Sequence, residues 1–275
     1  IIRPTLDVGA GYNTNAAGNA GGDGAAFGRL NGDVAIESDW SRHAVNANVR
    51  GDYTYYKNTD DNQLNLNGDV RGRLDISATT NAHFGLRAGV TSERAADPNL
   101  PAGVVDRPHV VNLGGTVGGT WKPNRLGVTL ETNIDRQTYE DAKLAGGVRQ
   151  DNSDRNYNEY ALRLQTGYDV SDKFTPFVEL GVNTRRHDEK LDRSGLERSS
   201  AGASLAVGAR YNLTDLIELN GSVGYRVQRY DDAALSNLSG LLANGSLVWQ
   251  PSALTTVTLN TATAFEETTL IGSSG

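Results

Sequence analysis

The residues able to do chemistry in this sequence are chiefly arginines and carboxylates, and they recur at every second position. Asp69, Arg71, Arg73 and Asp75 form one such series, and Arg50 with Asp52 forms another. The same parity carries Arg87, the pair Glu131 and Asp135, Arg163, the pair Glu179 and Arg185, Arg210, and the pair Glu218 and Arg226. Asp7, Arg29, Asp33, Glu37, Asp169 and Glu266 extend it. A period of two places side chains on one face of a strand, so these groups are expected to share a polar face. Unpaired charges in a narrow lumen are costly, which predicts cross-strand pairing. Arginine's planar fork suits such pairing with carboxylates. The chemistry on offer is ion pairing and contact with a polar solute, not turnover.

Other chemistries find little support. His43, His83, His109 and His187 are widely spaced and form no H-E-x-x-H pair. His43 falls in an expected turn and His109 in an expected loop, and all four read as ordinary surface or lumen histidines. No G-x-S-x-G elbow occurs. Gly-x-Gly patterns such as Gly9-Ala10-Gly11 lie within expected strands, whereas phosphate loops need a strand-to-helix turn. Asp60-Asp61 and Asp231-Asp232 lack the spacing of a calcium loop and read as solvated carboxylates. No metal site and no cofactor is expected. Cysteine is absent, which excludes a disulfide scaffold and thiolate ligation.

The elements that must position these groups are long strands. Leu64, Leu66, Gly68, Val70, Gly72, Leu74 and Ile76 make an apolar face opposite the Asp69–Asp75 charges. Val45 to Tyr55, Ala82 to Val90, Val111 to Trp121, Leu126 to Ile134, Leu162 to Val170, Leu205 to Leu213 and Leu219 to Val227 repeat the arrangement. About thirteen such strands span the 275 residues, most of them longer than an average strand. Only 37% of residues are hydrophobic, 32 are glycine, and the mean hydropathy is −0.46. No stretch approaches the roughly 20 apolar residues of a membrane helix. Bulk hydropathy is uninformative for a barrel, in which only every second residue meets lipid.

Connection length alternates. Short turns are expected at 39–42, 77–80, 122–125, 171–173, 214–216 and 251–254, and longer polar stretches at 14–26, 57–62, 93–109, 139–156, 188–199 and 230–239. Bacterial barrels combine short periplasmic turns with long extracellular loops, a pattern a soluble sandwich has no reason to adopt. Trp40, Trp121, Phe174, Tyr211 and Trp249 lie toward the short turns, and Tyr12, Tyr53, Tyr55, Tyr160, Tyr225 and Tyr230 toward the long loops. These would form two aromatic belts at the membrane interfaces. All five lysines fall in expected turns or loops, whereas the arginines are expected inside strands, on the polar face. A formal charge of −7 argues against a nucleic-acid partner.

The expected fold is therefore all-β: an antiparallel up-and-down transmembrane β-barrel forming a single domain over residues 1–275. An odd strand number and a final segment at the loop end of a strand, without a terminal aromatic, suggest part of a larger, even-stranded barrel. Absent methionine at position 1 suggests that any signal peptide has been removed. Barrels of about sixteen strands hold an aqueous channel and those of about eight are filled, so strand number decides whether the polar face lines a pore or acts as structural glue.

Three runs carry a family resemblance. They are Glu37-Ser38-Asp39-Trp40-Ser41-Arg42-His43-Ala44-Val45, Arg155-Asn156-Tyr157-Asn158-Glu159-Tyr160, and Pro251-Ser252-Ala253-Leu254-Thr255-Thr256-Val257-Thr258-Leu259 followed by Glu266-Glu267-Thr268-Thr269-Leu270. The chain resembles, over essentially its whole length, the outer-membrane barrels labelled "putative β-barrel porin type 2". The resemblance implies a bacterial outer-membrane location, a pore-like barrel, further strands, and for some members a part in exopolysaccharide export; it supplies no catalytic residues. The expected function is a porin-like polar channel passing polar solutes or an exported polysaccharide, and not an enzyme. The alternative is a non-conducting scaffold whose long loops bind surface polymers or partner proteins. Expected partners are outer-membrane lipid and lipopolysaccharide, with polysaccharide-export components further candidates.

Overall fold

The computed structural model describes residues 1–16, 24–57, 62–93, 104–106, 108–144 and 146–263. Alternating side chains leave each strand one apolar and one polar face, and long antiparallel strands result. They are β1 (Ile2–Asn13), β2 (Ala25–Glu37), β3 (Ala44–Tyr56), β4 (Gln63–Ser77) and β5 (Thr80–Ser92). After the short β6 (Val104–Asp106) come β7 (His109–Trp121) and β8 (Leu126–Tyr139). Two short strands, β9 (Ala142–Leu144) and β10 (Arg149–Gln150), and a 3-10 turn, η1 (Ser153–Arg155), precede β11 (Tyr157–Tyr168). The series ends with β12 (Phe174–His187), β13 (Ser200–Thr214), β14 (Ile217–Tyr230), β15 (Leu238–Ser252) and β16 (Thr255–Ala262).

Among the described residues, thirteen of these strands form one sheet in the order β1-β2-β3-β4-β5-β7-β8-β11-β12-β13-β14-β15-β16. Every neighbouring pair is antiparallel, as in Asp69 opposite Arg87 and Arg163 opposite both Glu131 and Gly181. This is the up-and-down transmembrane β-barrel architecture. Within this sheet the described register shifts lie beside short turns, at Asp75/Ser77, Asn212/Thr214 and Trp249/Ser252. Within the described residues β1 and β16 form the two edges.

Burial is inverted relative to a soluble protein. Leu6, Val8 and Leu241 are 70%, 78% and 75% exposed, and most large apolar side chains of the strands share that face. Such a band would aggregate in water, whereas in lipid it is the favoured surface. Most of the few buried apolar residues lie toward the long-loop end, as in the group Ala16, Ala25 and Tyr56, with Phe27 tilted against Tyr56 at 5.8 Å.

Several sequence expectations need correction. The stretches 93–109 and 139–156 are not simple loops, because β6, β9 and β10 pair there as a second, three-stranded sheet. Lys143 therefore lies in β9, and His109 opens β7. Tyr230 does not join the outer belt; it has the polar-face parity of Arg226 and Gln228 and is buried. Asp169 lies in a turn, where Lys122 and Thr175 bind it at 2.6 and 2.8 Å. Glu266 and Asp60-Asp61 lie outside the described residues, as does 264–275 generally.

A charged inner wall and a buried loop cluster

Register places the strand charges on a common face and brings most of them together. Arg50 reaches Asp33 at 3.2 Å, Arg71 reaches Asp69 at 3.2 Å, and Arg73 reaches Asp75 at 3.1 Å. Asp52 accepts from Asn65 at 2.8 Å. A longer chain runs His83–Glu131–Arg163–Glu179, with separations of 3.2, 2.9 and 3.4 Å. Gln165 continues it, donating to Glu179 at 3.1 Å and accepting from Arg210 at 2.7 Å. Arg185 pairs with Glu159 at 2.9 Å and stacks over Tyr157 at 4.3 Å. Arg226 donates to Gln228 at 3.2 Å, while Glu218 makes no hydrogen bond or ion pair among the described residues.

Some contacts of the wall cross an intervening strand, as Arg210 on β13 does in reaching Gln165 on β11 over β12. Arg87 on β5 pairs with Asp135 on β8, its Nε donating at 2.9 Å, and His83 on β5 meets Glu131 on β8. Both pass over β7, where Gly114 and Gly118 stand on the polar face. A Cβ at Gly114 would collide with Arg87 and lie 2.5 Å from Asp135 Oδ1; one at Gly118 would collide with His83 and lie 2.7 Å from the Leu130 carbonyl oxygen. Gly202 likewise leaves room for Gln228 and Asn183. Glycine therefore lets long charged side chains lie flat on the wall. Polar-face glycine was the sequence signal for these crossings. Beside them, a concavity of about 770 Å³ is lined by Asn46, Asn67, Arg71, Arg73, His83 and Arg87 among others.

The functional feature sequence reasoning missed is a buried polar cluster over the long-loop end of this face. Arg155 of η1 pairs with Glu93 just past β5, both almost fully buried, and its guanidinium lies 3.9 Å above the Tyr139 ring. Arg193 forks onto Asp154 at 2.8 and 2.7 Å and also donates to Asn152 at 3.0 Å. Arg198 pairs with Asp192 at 2.7 Å, again buried. Asp192 caps its own turn by accepting from Ser194 and Leu196 at 2.8 and 3.0 Å, with Gly195 at φ 76°. Tyr139, His187, Ser200 and Gln228, on the polar parity of their strands, are covered by these loops; Ser200 and Gln228 are 0% and 1% exposed. The loops thus fold onto the inner side of the wall, not away from it.

Electrostatics follow from this packing. Burial by itself raises the Asp154 carboxyl, but hydrogen bonds and charge from Arg193 outweigh it and hold it below the ordinary carboxylate value. A hydrogen bond from Arg136 holds Asp188 low in the same way. Asp231-Asp232 is engaged by the protein itself: Asp231 pairs with Arg186 at 2.6 Å and Asp232 accepts from the Glu197 and Ala234 amides. Among the described residues no group of three or more potential ligands could hold a metal.

The expected outer aromatics Tyr53, Tyr55, Trp121, Tyr160, Tyr211, Tyr225 and Trp249 are exposed on the apolar face, and Trp40 is exposed in its turn. Tyr211 also takes an edge-on contact from Phe174 at 5.9 Å. The arginines, however, are not confined to the polar face. Arg136, Arg186 and Arg229 stand on the apolar face beside Asp135, Arg185 and Gln228, and Arg155, Arg193 and Arg198 lie outside strands altogether or cover the wall.

Several solved structures of membrane proteins align with the chain. A copper transporter, OprC, aligns at 12% identity over 91% of this chain and 54% of its own, with a TM-score of 0.50. The NanC porin aligns at 11% identity over 89% of this chain and 98% of its own, with a TM-score of 0.41. The CymD monoaromatic hydrocarbon channel aligns at 12% identity over 95% and 81%, with a TM-score of 0.46. At such identities the likeness concerns the fold alone. Among curated proteins none matches the chain. The sequence signature described as "Putative beta-barrel porin 2" matches residues 1–275, and the chain belongs to that family.

Proposed function

We propose that the chain forms the wall of a bacterial outer-membrane channel for the passive passage of polar solutes. The observation that carries this is the inner face, on which Asp33, Asp69, Asp75, Glu131, Asp135, Glu159 and Glu179 each sit against an arginine. A wall of neighbouring, mutually compensated charges offers many hydrogen-bonding groups and little net field, which favours neutral polyhydroxylated solutes over one sign of ion. An exported polysaccharide falls within this class, as the family resemblance implied. Membership in a porin family supports the outer-membrane location and a transport role, not a catalytic one.

Planar-bilayer recording of the full-length protein tests the reading. Stepwise conductance with weak preference between potassium and chloride is expected, and no conductance above background would refute it. A second reading, a non-conducting scaffold, is favoured by the loop cluster seated over the inner face. Deleting 188–199 would then abolish binding of a surface polymer or an export component without creating or changing conductance.

A further inference from the structure

The outer face of the thirteen-stranded sheet carries no carboxylate among its described strand residues, because Asp33, Asp69, Asp75, Glu131, Asp135, Glu159, Glu179 and Glu218 all take the inner parity. It carries three arginines, Arg136 on β8, Arg186 on β12 and Arg229 on β14, all at the long-loop end. Their register is close. Arg136 and Arg186 both stand opposite Asn158, so their backbones are about 10 Å apart across two strand spacings. Arg229 lies opposite Ala201, which in turn faces Thr184.

An apolar groove of about 700 Å³ leads to Arg136 across the outer face. Its floor is the rung Val49–Gly68–Ala88–Leu113–Arg136, where Gly68 and Ala88 leave a depression between larger neighbours. Val70, Leu86 and Ile134 flank it toward the short turns. A groove whose exposed surface is mostly apolar, ending at a cation on the extracellular side of a membrane-facing surface, matches an acyl chain below an anionic headgroup.

We propose that this rim is a binding site for the phosphorylated glycolipid of the outer leaflet, with the phosphates on Arg136, Arg186 and Arg229 and an acyl chain in the groove. The proposal rests on the outer-membrane placement argued above and is independent of conduction. Charge complementarity selects the occupant: lipid phosphate is the anion present at that depth, and arginine binds it through several N–H donors. Arg136 is forked by both Asp188 carboxylate oxygens and also donates to Thr138 at 3.2 Å, whereas Arg186 makes one contact, to Asp231 at 2.6 Å, and keeps further N–H donors available. Arg229 makes no hydrogen bond or ion pair among the described residues.

The test titrates the detergent-solubilised full-length protein with bis-phosphorylated lipid A and with its phosphate-free form, read by native mass spectrometry. A cation near an anionic lipid surface contributes about fivefold in affinity, so at least tenfold tighter binding of the phosphorylated form is expected. The triple variant Arg136→Gln, Arg186→Gln, Arg229→Gln should bind both forms alike, with its folding checked by heat-modifiable electrophoretic mobility. Equal binding of the two lipids by the unaltered protein overturns the proposal, and so does retained discrimination in the folded variant. Because the lipid comparison is made on the unaltered protein, a variant that fails to fold does not remove the test. Cell fractionation is read separately: recovery from the inner membrane would overturn the placement, whatever the titration shows.

Discussion

The buried ion pair between Arg155 and Glu93 sets a large effect expected from one substitution outside the strands. Both side chains are at most 4% exposed; Arg155 Nη2 meets Glu93 Oε1, while Glu93 Oε2 and Arg155 Nη1 make no hydrogen bond among the described residues. Replacing Arg155 by methionine leaves the Glu93 carboxyl without its partner in a site that water does not reach. Breaking one side of such a pair costs about 3–5 kcal/mol. The cost falls first on the loops, because η1 can lift off the wall while the strand ladders persist. At about 1.4 kcal/mol per tenfold, amide exchange over 151–156 and 188–199 should accelerate roughly 10²-fold or more in Arg155→Met, up to the limit set by the loops' own stability. The double variant Glu93→Leu, Arg155→Met removes both charges and should recover most of the protection, since apolar replacement of a whole buried pair is often neutral. Hydrogen exchange read by mass spectrometry measures both. Unchanged loop exchange in the single variant, or a double variant at least as unprotected as the single, would refute the reasoning.

Further outcomes follow from the same geometry. Asp154 and Asp188 are held below the ordinary carboxylate value, so their contribution to loop stability is fully present above about pH 4 and lost as the pH falls through the lowered folded values. Loop protection, corrected for intrinsic exchange, should be flat from neutral pH to about 4 and decline below it. Gly118→Ala sets a methyl against the fixed Leu130 carbonyl and should destabilise by about 1–3 kcal/mol in urea-dependent folding into vesicles. Gly9→Ala, with nothing within 4 Å, should be neutral or stabilise by up to about 1 kcal/mol. Val207→Arg, midway along β13 on the outer face, should cost about 2–4 kcal/mol in the same assay, whereas Ser222→Arg on the inner face should cost far less.

The two faces of every long strand were legible in the sequence, because the period of two is a property of local backbone geometry. Leu64 through Ile76 and Asp69 through Asp75 need no distant partner to take opposite sides. The alternation of short and long connections was legible for the same reason, and with it the antiparallel order. The outer arginines were legible too: Arg136, Arg186 and Arg229 occupy the apolar parity of their strands, a signal hidden by treating arginine in a strand as inward-facing.

What the sequence by itself determined, then, is strand type, facing and connectivity; the tertiary structure decided which charges meet. Arg87 finds Asp135 only because β7 lies between their strands and presents Gly114 there. Arg155 finds Glu93, 62 residues away, only because η1 folds back onto the wall. Neither partner can be read from spacing. Both depend on the lateral register of strands and the path of a loop, which side-chain alternation leaves open.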